Sequence, residues 1–242
     1  MLSLSIAVRF LRKSPVQSVL IAAGIAVGIG IQVFLGSLIT SLQASLVDET
    51  IGNSPQLVVT AGADGEPVSY TPQLERALKA RDEITTIVPT RRFSAIFRKG
   101  QESSPLQLTG GPLDRLDTIY DISGRLVAGE ASLDAGEVLV GKDFADTFGL
   151  TPGDPASVVL PNGEPAELTV AGVFDFGSAA ANSATAFVNG GEAATVLGFS
   201  ADEYSAVDAQ VDDVFGSEDV ATDLRADPAL SGLTVTEWQE QN

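Results

Sequence analysis

The chain has 242 residues, with 14 Lys and Arg against 32 Asp and Glu, a net charge of −18, and neither Cys nor His. So acidic a chain repels nucleic acid, and the lack of imidazole and thiol removes the usual zinc sites, thiol nucleophiles, His-assisted serine chemistry and disulfides. The charge is uneven: residues 1–47 carry three basic side chains and no acid, whereas residues 48–242 carry 11 basic and 32 acidic ones. Only four lysines accompany those acids. That balance fits a high-salt habitat, where salt screens surface self-repulsion, and equally an ordinary acidic extracellular domain.

In chain order, residues 1–13 read as a short amphipathic lead-in. It lies on the cytoplasmic membrane surface with Arg9, Arg12 and Lys13 toward lipid phosphates. From Ser14 to Val47 no residue is charged. A bilayer span needs about 20 apolar residues, so 14–47 is expected to be one transmembrane helix that continues past the bilayer, with Ser14 as N-cap and Pro15 in the first turn. A cleavable signal peptide has an apolar core of about 7–15 residues, so the longer run reads as an uncleaved anchor. Basic residues before it and Asp48 and Glu49 after it place the N-terminus in the cytoplasm and the main domain outside the plasma membrane. Gly24, Gly28, Gln32, Gly36 and Thr40 recur every four residues. Small residues at that spacing let another helix approach closely, and Gln32 in lipid calls for a hydrogen-bonding partner.

The remainder predicts an α+β domain. "QLVVTAG" (56–62) is a strand, "TPQLERALKARD" (71–82) a helix capped by Thr71, and "TRRFSAIFRKG" (90–100) a strand whose period slips at Ile96–Phe97, as a bulge would make it. "SPLQLTGG" (104–111) pairs with it. Near the end, "YSAVDAQV" (204–211), "SEDVATDLRAD" (217–227, Ser217 capping) and "LTVTEW" (233–238) repeat the strand–helix–strand order. Between them, "GEVLVGKDFADTFGLTPGD" reads as strand, short helix, Gly149 stop and turn. "PASVVLPNGEPAELTVAGVF" is a hairpin around Asn162-Gly163, and "ATAFVN" (184–189) is a strand. The segments 48–119 and 201–242 are thus expected to form one split porter-type α+β subdomain, interrupted by a β-rich insertion at 120–200.

These pieces, with "RFLRKSPVQSVLIAAGIAVG", "PQLVVT", "LTVAGVF" and the "WQEQN" ending, resemble in order and spacing the FtsX/MacB-like ABC transporter permeases. In that family a transmembrane helix leads into a porter-type subdomain with a β-rich "sabre" insertion. The resemblance implies a permease component that carries no cofactor itself. A cytoplasmic ABC ATPase would bind the ATP, a second permease copy and membrane lipid would be further partners, and cytoplasmic motion would be transmitted outward to export or release a substrate. It also implies three more helices beyond this chain, one of which meets the ATPase, so the sequence is read as part of a longer protein. Trp238 would then mark the point where the chain re-enters the membrane. The insertion's turn, "LPNGEP", is too short for the hook loop of one lipoprotein-releasing branch.

The alternative is a membrane-anchored extracellular binding domain that works without an ATPase. No catalytic, cofactor-binding or metal residues are expected. Asp212-Asp213 and Glu218-Asp219 could pair as catalytic carboxylates but read as solvated acids. "SAAANSA" (178–184) reads as an exposed flexible loop or, alternatively, as a partner or substrate contact. Arg91, Arg92, Arg98 and Lys99 form the one basic cluster outside the membrane, paired with nearby acids or docking an acidic partner.

Overall fold

The computed structural model of the protein describes residues 15–50, 54–62 and 66–240. The chain divides into two units, Met1–Val47 and Asp48–Asn242.

Helix α1 (Pro15–Thr50) runs for 36 residues. Within it Val19–Ile39 has a mean hydropathy of 2.3 and no buried side chain, so it is long and apolar enough to cross a bilayer. A helix apolar all round needs lipid or other helices to cover it. Ser14, read as its N-cap, lies outside the described residues.

The second unit starts with β1 (Leu57–Ala61) and β2 (Val68–Ser69), followed by α2 (Pro72–Lys79), β3 (Ile84–Lys99) and β4 (Glu102–Gly111). As the sequence predicts, Thr71 caps α2, its Oγ1 accepting the Leu74 N–H at 3.2 Å. Then come α3 (Leu113–Tyr120), β5 (Leu126–Gly129), β6 (Glu137–Gly141), α4 (Lys142–Phe148), β7 (Pro155–Val159), β8 (Pro165–Phe174), α5 (Ala179–Ala184), β9 (Thr185–Asn189) and α6 (Gly190–Leu197). Finally β10 (Glu203–Tyr204) and β11 (Ala206–Val211) lead through a 3-10 turn into α7 (Ser217–Arg225), and a second 3-10 turn leads into β12 (Leu233–Glu237).

The long strand β3 organises this unit. Its first half pairs with β11, in the order β12-β1-β11-β3. Leu57, Val59, Val207, Ala209 and Val235 of this sheet form a core with Leu74 and Leu78 of α2 and Val220 and Leu224 of α7. The second half of β3 pairs with β4 and β7, and the order β3-β4-β9-β6-β8-β7 returns to β3, a closed ring of six strands. Alternation along each strand turns Phe93, Ala95, Phe97, Leu106, Leu108, Val138, Val140 and Val188 into the barrel. The intervening Leu139 and Phe187 face a third core with Leu116, Ile119 and Tyr120 of α3. The 120–200 segment therefore completes a barrel that residues 91–111 begin.

Three expectations are corrected. The β3–β4 register is continuous from Arg91↔Gly110 to Lys99↔Glu102, so there is no bulge. The pattern slips because Ile96 sits on the outer face, 41% exposed, opposite Val159 of β7. Ser217 is not a cap. Asp213 caps the preceding 3-10 turn, while the buried Ser217 hydroxyl donates to Glu237 at 3.3 Å. Residues 178–184 are not a flexible loop, since their alanines favour a helix. Ser178 caps α5, and Asn182, 2% exposed, ties it down by donating to Asp143 at 2.9 Å and Asp175 at 2.8 Å and accepting the Phe176 N–H. Gly141 permits this, because a Cβ there would collide with the Asn182 backbone.

Candidate functional site

The first and last strands of the second unit meet at one place. β1 lies between β11 and β12, and Leu57 pairs with Glu237. Just past the strand ends, the Trp238 backbone N–H donates to Gln56 O at 3.0 Å. The half-buried Trp238 indole donates to Val214 O at 3.2 Å, and Gln56 Oε1 accepts the Val211 N–H at 3.2 Å. Gln56 and Trp238 are therefore held side by side, next to the paired ends of β1 and β12.

The basic cluster is divided by strand alternation. Arg91 is buried, lies 4.1 Å over the Tyr204 ring, and donates to Glu203 O at 3.0 Å and Ala201 O at 2.9 Å. Lys99 donates to the carbonyls of Phe148 and Gly149 at the end of α4, where the helix dipole favours a cation. Arg98 is exposed. Arg92 reaches a fully buried carboxylate, Asp208 of β11. Asp208 Oδ2 accepts from Arg92 at 2.5 Å, from the Tyr120 hydroxyl at 3.0 Å and from the Thr90 hydroxyl at 3.1 Å, while Oδ1 is buried without a partner among the described residues. The cluster thus joins the open sheet, the start of the barrel and α3. Sequence reasoning missed Asp208 and Tyr120. The available signal was an acid in the middle of the apolar strand "AVDAQV".

Burial opposes the charge on Arg92, but Asp208 and Tyr120 outweigh it and raise its basicity. Burial, then the Asp208 charge, pushes the Tyr120 hydroxyl well above the ordinary phenol range. Burial, then Glu75, pushes Tyr70 up to about 12. An unfolded tyrosine titrates near 10, so a raised folded value means that folding favours the neutral hydroxyl. That stability is complete below about pH 10 and is lost as the pH rises above it. The urea midpoint is therefore expected to fall above about pH 10, and to fall less steeply in Tyr120→Phe. Equal slopes for the two proteins would contradict this.

The candidate carboxylates are exposed. Asp212 Oδ1 accepts the Asp213 N–H, Asp213 caps the next turn, and Glu218 and Asp219 lie in the first turn of α7. Among the described residues no group of three or more potential metal-ligating side chains occurs. Gly24, Gly28, Gln32 and Gly36 are exposed on α1, and a Cβ added at Gly24 or Gly28 would meet nothing within 4 Å. Arg9, Arg12, Lys13 and the side chain of Thr40 lie outside the described residues.

A family model described as the MacB-like periplasmic core domain matches residues 18–227, taking in most of α1 and nearly all of the second unit. The chain belongs to the MacB-like periplasmic core domain family. Solved structures similar to this chain include two transporter domains. The extracellular domain of the noncanonic ABC-type transporter YknZ from Gram-positive bacteria is 20% identical, covering 76% of this chain and 100% of that one, with a TM-score of 0.47. The periplasmic region of MacB from Actinobacillus actinomycetemcomitans is 11% identical, covering 79% and 91%, with a TM-score of 0.48. No curated protein matches the chain by sequence. For this MacB-like domain the family is the one that the order of its sequence motifs resembles, and the fold is the expected mixed α+β unit behind one N-terminal apolar helix.

Proposed function

We propose that the chain acts as the permease component of an ABC transporter complex. A separate cytoplasmic ATPase binds and hydrolyses ATP, helices carry the motion across the membrane, and the outer unit uses it to export or release a substrate. The carrying observation is the single family match that takes in both the apolar helix and the outer unit. The side-by-side fixing of Gln56 and Trp238 supports it, because two membrane connections at one sheet edge would move that unit as a lever. In this reading residues 48–119 and 201–242 are the porter-type subdomain and 120–200 its insertion. Arg9, Arg12 and Lys13 hold a cytoplasmic N-terminus at the lipid surface, and Trp238 marks membrane re-entry. The chain itself carries no cofactor and catalyses no reaction.

The seam of Gly24, Gly28, Gln32, Gly36 and Thr40 would pack against a second permease copy or neighbouring helices. Isolated from its own membranes, the full-length protein is expected to bring an ABC ATPase with it. Gly28→Leu should cut the recovered complex several-fold, because a leucine holds the helices apart. If wild type brings no ATPase, the anchored binding domain becomes the better reading. Unchanged recovery and cross-linking of the leucine variant would remove the seam from the account.

A further inference from the structure

β12 has β1 on one side, and among the described residues no strand lies on the other. Because the Trp238 N–H donates to Gln56 O, Leu57 and Glu237 form a non-hydrogen-bonded pair, and alternation makes Val59 and Val235 another. The N–H and C=O groups of Val235 and Glu237 therefore face the open side of the sheet. Such an edge is a template for a further strand, and "LTVTE" is rich in the β-branched residues that strands favour.

That side is not bare. Arg225, the last residue of α7, donates to Val235 O through Nε at 2.9 Å and through Nη2 at 2.7 Å. Nη2 also pairs with Glu240 Oε2, and the same oxygen accepts the Glu237 N–H at 3.3 Å. The Glu240 N–H donates to Glu237 O at 3.1 Å. A donor on Val235 O and an acceptor on the Glu237 N–H are what an adjoining strand would supply. A cation at the end of a helix commonly serves the last helix carbonyls, but the backbone bonds of Arg225 go to the strand. Both side chains are partly exposed, so the ion pair adds little stability of its own. What sets it apart is the set of backbone groups that it occupies.

We propose that β12 is a strand-pairing edge for a second copy of this chain, held closed by the Arg225–Glu240 pair. Antiparallel pairing of β12 with itself about Val235 sets Leu233 opposite Glu237 and Thr234 opposite Thr236. No like charges then oppose, and the threonines meet as favourable cross-strand pairs. Thr234 and Thr236 form the close, non-hydrogen-bonded pair, with Cα atoms about 4.5 Å apart, within reach of a disulfide.

That register supplies the test. Two differently tagged copies of the full-length protein, one with Thr234→Cys and the other with Thr236→Cys, are co-expressed and oxidised in their membranes. With Arg225 and Glu240 in place, little cross-linking is expected. Arg225→Ala uncovers Val235 O and Glu240→Ala uncovers the Glu237 N–H, and each should raise the cross-linked yield about tenfold. Two copies that both carry Thr234→Cys should stay apart, because that pair is out of register. An unchanged yield in both variants, equal yield from the out-of-register pair, or capture of a different protein in place of the second copy would overturn the proposal. If Arg225→Ala fails to fold, Glu240→Ala, in the exposed turn after β12, still decides. The readout compares variants in one membrane without added nucleotide, so its failure and the failure of the transport reading are separate results.

Discussion

Asp208→Ala is expected to lower the stability of the outer unit by about 3 kcal/mol, read from a guanidinium titration of the full chain in detergent. Asp208 is fully buried and its Oδ2 is the common acceptor for Arg92, Tyr120 and Thr90. Truncation leaves a cation and two hydroxyls facing a gap. Breaking a buried pair from one side costs about 3–5 kcal/mol, because the remaining charge is uncompensated. The lower end applies here, since a quarter of the Arg92 side chain is exposed and can reach water. The double variant Arg92→Met with Asp208→Leu removes both charges and should lose less than the single one. A loss below about 1 kcal/mol in Asp208→Ala would show that the cluster holds nothing together.

Phe187→Ala should cost about 3–5 kcal/mol by the same titration. Phe187 is fully buried on the outward face of β9, with ring centroids 5.1 Å from Tyr120, 5.4 Å from Phe174 and 6.1 Å from Phe176. It therefore joins α3 to the barrel wall, and alanine would open a cavity that rings held by two different elements cannot close. Phe187→Leu keeps most of the volume and should cost less than about 1.5 kcal/mol. Tyr120 touches both Phe187 and Asp208, so the two alanine variants should be coupled when combined. Strict additivity would mean that Tyr120 does not link the two clusters.

Much of the fold was legible because its signals are local. Thr71 before Pro72, Gly149 after α4 and Asn162-Gly163 between two alternating runs each act within a few residues, and each does in the structure what its chemistry predicts. α6 was missed because "GGE" reads as a loop. Asn189 makes it a helix by accepting the Gly191 and Glu192 N–H groups. α3 was missed because Pro112 offers its first turn no side-chain cap. The barrel was hidden for another reason. β4 with β9 and β6 with β8 are parallel pairs between residues far apart in sequence, and their closure depends on β7 touching both β3 and β8. No local period encodes such pairing. The Asp208 cluster likewise gathers residues 90, 92, 120 and 208, and a lone acid in a strand does not announce its partners.

None of these 242 residues is cysteine, so a cysteine introduced among them marks a single site in this part of the protein. Gln101→Cys places a spin label at the exposed turn between β3 and β4. In the full-length protein assembled as proposed, with an ABC ATPase and a second copy, the label-to-label distance can be measured by pulsed electron resonance, without nucleotide and then with the ATPase trapped by ATP. Transmission of cytoplasmic motion to the outer unit predicts a distance distribution that shifts on trapping and returns on release. A distribution that stays the same through the nucleotide cycle would contradict the account.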